Sequence, residues 1–195
     1  MRFKQDKAII NMKLFDRGFR DMFLSQIVSL IGGLAAGIIL AIYTDNIFLI
    51  PGIFIILPGF LEMRGNISGS FASRLSSGLF LGVIDPKRTD TKLVRGNVVA
   101  SFFLAVAVSL SLGLLAFFFN WFVFGIFMLE IVLLPVVAAV IANLIEVPLT
   151  LFATFYLFRK GHDPNNIMGP FITSTGDITS IVSLLLAMVA MVGFI

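Results

Sequence analysis

Long apolar runs alternate with short polar stretches along this chain, at a spacing that predicts membrane-spanning helices. A bilayer core about 30 Å thick asks for roughly 20 mostly apolar residues per helix. The first such run is Ser25–Tyr43, which carries no charge. The second begins at Ile47, is apolar to Leu61 and continues through Glu62–Val83, a mixed segment too polar to face lipid. The third is Asn97–Phe119, the fourth Phe127–Phe158 and the fifth Asn165–Ile195. Ahead of them, Met12, Phe15, Phe19 and Met22 recur at helical spacing with basic residues on the other side. That pattern predicts an amphipathic helix in residues 1–24, lying in the cytoplasmic interface. The expected fold is an all-α integral membrane protein, with residues 1–24 an amphipathic N-terminal segment and residues 25–195 a domain of five transmembrane helices.

Composition agrees with a membrane solvent. Of 195 residues, 58% are hydrophobic and 13% charged, against about 25% charged in a soluble domain. So little charge cannot cover a compact body in water. Cysteine is absent, which excludes disulfides, thiolate metal sites and cysteine nucleophiles. The single histidine, His162, excludes every mechanism that needs two imidazoles. His162 also lies far along the chain from the serines of the second span, so a membrane-embedded hydrolase is not expected.

Charge placement sets the orientation, because cytoplasmic connections retain Lys and Arg. Twelve of the 14 basic residues fall in the N-terminal segment, in the connection holding Lys87, Arg88, Lys92 and Arg95, and in the pair Arg159–Lys160. The intervening connections, Thr44–Asn46 and the region of Asn120–Trp121, have none. This predicts a multi-pass protein of the plasma membrane, with its N-terminus cytoplasmic and its C-terminus outside. No cleavable signal is expected, since six basic and three acidic residues precede the first long apolar run.

Four acidic residues fall within the spans: Glu62, Glu130, Glu146 and Asp177. Ionisable groups at membrane depth face protein or water and are functional candidates by default. Glu130 sits near the outer end of its span and can reach the interface. Asp177 lies near the midplane, with Thr173, Ser174 and Ser180 on the same side of its helix and Gly169 and Gly176 beside them. In the second span Glu62, Asn66, Ser70, Ser73 and Ser77 form one stripe, and Gly65 and Gly69 permit close backbone approach. Pro51 and Pro58 interrupt the apolar half of that span, where freed carbonyls are tolerated if they line a cavity. Asn143, Glu146 and Pro148 mark a third polar region; Glu146 could touch an ion or pair with Arg64, whose expected partner is Glu62 or Glu146. Arg74 is expected to snorkel to the cytoplasmic interface.

Carboxylate, amide, hydroxyl and backbone oxygens are hard ligands that suit Mg²⁺, with Mn²⁺ and Ca²⁺ next; Co²⁺ is a further candidate. The candidate metal-facing residues are Asp177, Asn66, Thr173, Ser70, Glu62 and Glu146. One chain supplies one deep aspartate, and a two-fold homodimer would supply two. The expected function is divalent cation transport, most simply of Mg²⁺, by a channel or transporter. The alternatives are a proton- or sodium-coupled exchanger using Glu62 or Glu146, and a membrane assembly subunit with no transport of its own. The expected partners are lipid, divalent cations and a second copy of the chain, not nucleic acid.

These residues resemble the membrane domain of the MgtE-type magnesium channels and transporters, including their animal solute-carrier relatives. Asn143–Leu144, Pro148, Asp163–Pro164 and the run GPFITSTGD (Gly169–Asp177) are similar to the family's end of span four, its short DPA-like loop and its TT-x-x-D helix. LPGFLEMRGNISGSFASRLSS (Leu57–Ser77) is similar to the solute-carrier form of span two. The resemblance implies that Asp177 matches the pore aspartate, the central magnesium site at a dimer axis, and that Asn66 matches the asparagine of the GN motif. It further implies a pore of ten spans, built here by a homodimer of half-transporters without the cytosolic CBS domains. The chain departs from the bacterial pattern in carrying GNISGSFAS in place of a GGNAGTQ-type run.

Overall fold

The computed structural model describes residues 17–48 and 50–192, and among them it is helical with no strand. Six α-helices follow in order: α1 (Arg17–Ile42), the short α2 (Thr44–Phe48), α3 (Ile53–Phe80), α4 (Lys92–Phe119), α5 (Glu130–Arg159) and α6 (Pro164–Val192). Four of the long helices contain stretches apolar enough to cross a membrane: Gly18–Ile42, Lys92–Phe124, Glu130–Arg159 and Pro164–Met191. The fifth, α3, has 28 residues, about 42 Å at 1.5 Å per residue, but its polar stripe lowers its hydropathy. That stripe explains its place in the fold: α3 packs against α4, α5 and α6, as a helix too polar for lipid must.

The core is built on the apolar side of α3. Ile56, Phe60, Ile67, Phe71 and Leu75 are buried there; the first three cluster with Leu134, Ala138 and Ala139 of α5 and Leu184 of α6, and the last two with Val147 and Phe155 of α5. By contrast α1 packs mainly on α6, and only 11% of its most apolar stretch is buried within the chain. Helix ends follow local chemistry. Thr91 precedes α4 and its hydroxyl accepts from the Val94 N–H at 3.3 Å, and Asp163 Oδ1 accepts from the Asn165 N–H at 2.9 Å where α6 begins. In the α3–α4 connection, the hydrogen bond from Arg95 holds the exposed Asp90 carboxyl below the ordinary carboxylate range.

Two boundaries differ from the sequence expectation. Residues 17–24, assigned to a separate surface helix, are the first turns of a continuous α1; Met12 and Phe15 lie outside the described residues. The connection expected at Asn120–Trp121 is displaced, because α4 continues into a π-helical turn at Asn120–Phe124 and the chain turns only at Gly125, with φ 67°. Asn120 is held inside: its amide donates to the Pro51 carbonyl at 3.2 Å and fills the space beside Gly52, whose φ is 81°. A long-range contact thus replaces the local turn that an Asn suggests.

Where α4 crosses α5, Gly113 faces the backbone of Val132 so closely that an added Cβ would overlap its carbonyl oxygen. Backbone cannot rotate aside, so Gly113→Ala should destabilise the protein by about 1–3 kcal/mol through overpacking. Thermal unfolding of the purified variant in detergent checks this, and a midpoint equal to wild type would refute the contact.

Candidate functional site: a polar groove between α3 and α6

A groove of about 550 Å³ runs between α3 and α6. From α3 it takes Pro58, Glu62, Gly65, Asn66 and Gly69, and from α6 Gly169, Ile172, Thr173 and Asp177. Positions 58, 62, 65, 66 and 69 fall within one stripe of a 3.6-residue repeat, so one face of the helix supplies the α3 set. Glu62, Asn66 and Thr173 are exposed along it and Asp177 is half-buried. At Gly65, Gly69 and Gly169 an added methyl would meet no atom of this chain, so the missing side chains leave the groove wide. A smaller hollow of about 180 Å³ shares Gly69, Gly169 and Ile172 with it and extends toward Ser73 and Asn165.

The polar atoms in this groove are acceptors on offer. The Thr173 hydroxyl donates its proton to the Gly169 carbonyl at 3.1 Å, which leaves its lone pairs for a ligand. The Asn66 amide donates to Glu62 Oε1 at 3.4 Å, turning its own carbonyl oxygen outward from that contact. Two carboxylates, an amide and a hydroxyl make an all-oxygen lining that suits a hard cation or its bound waters. Among the described residues no group of three or more His, Cys, Asp or Glu side chains could hold a metal, so this lining is not a closed metal cage.

The other candidates lie elsewhere. Ser70 is exposed one turn beyond Asn66 on α3, outside the residues that line the groove. Glu146 of α5 is 2% exposed and sits behind the groove. Its Oε2 accepts from the Arg64 guanidinium and from Ser68 Oγ at 2.6 Å, while its Oε1 accepts from Thr179 Oγ1 at 2.8 Å. Arg64 also donates to Asn143 Oδ1, and the Asn143 amide donates to the Ser101 carbonyl at 3.4 Å. Of the two partners expected for Arg64, the structure places Glu146 against it. Glu130 is exposed at the start of α5, and Arg74 is exposed and donates to Asn97 Oδ1 at 2.7 Å. His162 meets Asp21 of α1 at 2.9 Å.

Ser68 and Thr179 are the network members that sequence reasoning passed over. A signal was present for Ser68, which lies four residues from Arg64 and so on its face. Thr179 had none, because its partner is on another helix.

The profile described as "MgtE: Divalent cation transporter" matches residues 57–187. Solute carrier family 41 member 2 of Xenopus laevis is 26% identical over 156 residues, which cover 77% of this chain and 28% of that protein. The Homo sapiens protein of the same name is 26% identical over 156 residues, covering 77% of this chain and 27% of its own length. This chain therefore spans little more than a quarter of the curated relatives it matches. No solved structure matches it. Because the matched residues include most of the chain and both walls of the groove, the chain is an integral membrane protein that belongs to the MgtE family of divalent cation transporters.

Proposed function

We propose that two copies of this chain form a pore for hydrated divalent cations, Mg²⁺ foremost, with the α3–α6 groove of each copy supplying part of its wall. One observation carries the reading: Glu62, Asn66, Thr173 and Asp177, distant in sequence, line a single groove. An odd number of spans with the polar groove on one side suits a two-fold assembly, in which α3 joins the four more apolar helices as a span of each copy and ten helices surround the path. The basic connections support a cytoplasmic N-terminus in the plasma membrane.

Magnesium sheds water reluctantly and is held through few direct ligands, so an open groove of oxygens serves it better than a tight cage. Carboxylates draw the ion in, paired Asp177 side chains balance its two charges, and the membrane potential, worth about 2.3 kcal/mol per elementary charge per 100 mV, drives it inward. Ser70 continues the α3 stripe at the mouth. Glu146, whose two oxygens accept from Arg64, Ser68 and Thr179, stands outside the path.

Reconstituted vesicles test this directly. The expected result is saturable Mg²⁺ entry, driven by an inside-negative potential and independent of proton and Na⁺ gradients. Vesicles no more permeable than protein-free controls would overturn the proposal.

A further inference from the structure

Three pairs of positions in the two groove helices share one spacing. On α3, Glu62 and Asn66 line the groove while Arg64 and Ser68, two residues beyond each, are buried on the opposite side. On α6, Asp177 lines the groove and Thr179, again two residues beyond, turns to Glu146. Side chains two residues apart on a helix diverge by about 200°, so each helix shows an oxygen ligand forward and an anchor backward. All three anchors end on one carboxylate. Glu146 Oε2 accepts from Arg64 and Ser68 of α3, and Oε1 accepts from Thr179 of α6.

The α6 anchor is specific to Glu146. A hydroxyl has one proton to donate, and Thr179 could give it to its own helix at the Gly176 carbonyl, 3.2 Å away, or to Glu146 at 2.8 Å; the charged acceptor gives the stronger bond. Gly176 allows the approach, since an added Cβ would stand 2.9 Å from Glu146 Oε1. A slip of α6 by one residue moves Asp177 by about 1.5 Å along α3. Magnesium demands near-ideal octahedral geometry, whereas calcium accepts irregular shells, so such a slip harms Mg²⁺ more than Ca²⁺.

We infer that Glu146 is a positioning residue: by tying Arg64 and Ser68 to Thr179, it sets the register of Asp177 against Glu62 and thereby the preference for Mg²⁺ over Ca²⁺. The inference rests on the groove being the cation site. Its test is a binding measurement, separate from transport. Mn²⁺ is titrated into the purified full chain in detergent, followed by electron paramagnetic resonance, and displaced by Mg²⁺ or Ca²⁺. Thr179→Val, which removes the α6 anchor without touching the groove lining, should weaken displacement by Mg²⁺ by about 10-fold, the lower end of the loss when a group that orients metal ligands is removed. Displacement by Ca²⁺ should change less, and Thr179→Ser should restore the wild-type ratio. Gly176→Ala, which keeps every hydrogen-bonding group and pushes a methyl against Glu146, should shift the ratio the same way. Wild-type ratios in both Thr179→Val and Gly176→Ala, or no rescue by Thr179→Ser, would overturn the inference. A wild-type protein that binds Mn²⁺ but does not carry Mg²⁺ would defeat the transport proposal alone. One that binds no Mn²⁺ would defeat the cation site and this inference with it.

Discussion

Glu146→Ala is expected to destabilise the protein by about 3–5 kcal/mol, the cost of leaving one member of a buried ion pair without its partner. The Arg64 side chain is fully buried between α3 and α5, and its Nε already lacks a hydrogen-bond partner. Without Glu146, the guanidinium keeps only Asn143. Ser68 and Thr179 lose their acceptor as well. The double substitution Arg64→Met with Glu146→Leu should recover most of the loss, because replacing both charges by apolar groups of similar volume is often neutral or stabilising. Thermal unfolding of the purified proteins in detergent measures both. A single variant as stable as wild type would mean that the pair is not buried as described. Recovery of stability without recovery of the Mg²⁺ over Ca²⁺ preference would separate the fold's need for the pair from the groove's need for it.

Asp177→Asn should abolish most Mg²⁺ entry while leaving the fold intact. The side chain is half-buried in the groove wall, and Asn keeps its size, so no cavity or stranded charge results. What is lost is attraction. Two unit charges 4 Å apart interact by about 4 kcal/mol at an effective dielectric of 20, and a divalent ion doubles this. Even a quarter of that sum, about 2 kcal/mol, corresponds to roughly a 30-fold lower rate, and a dimer loses two such groups at once. Radioisotope or dye-reported Mg²⁺ uptake at matched protein incorporation reads the effect. Equal uptake by the variant and wild type would remove Asp177 from the path. Unaltered uptake in Asp177→Asn together with altered uptake in Glu62→Gln would move the site one helix over.

What the chain's sequence determined by itself is set by local rules. Long uncharged runs specify helices of membrane length because the bilayer core leaves no other way to satisfy the backbone, and four of those runs stand as apolar helices. The spacing of Glu62, Asn66 and Gly65 specifies one face of α3 because a helix has 3.6 residues per turn. The mixed composition of Glu62–Val83 likewise specified a helix that avoids lipid, and α3 sits among α4, α5 and α6.

Only the tertiary structure decided which faces meet. That α3 turns Glu62 and Asn66 toward Asp177 and Thr173, and Arg64 and Ser68 toward Glu146, depends on the rotation of each helix about its axis. The partners of that rotation lie 78 to 115 positions away in the chain. The same reason explains Asn120: its residue type suggests a turn, but the Pro51 carbonyl it satisfies belongs to another helix connection. Two carboxylate candidates within the spans, Glu146 and Asp177, thus receive different settings. One accepts from three donors, while the other lines the groove with no hydrogen-bond donor from this chain among the described residues. Hydrogen bonding over long separations carries no period, so no pattern along the chain records it.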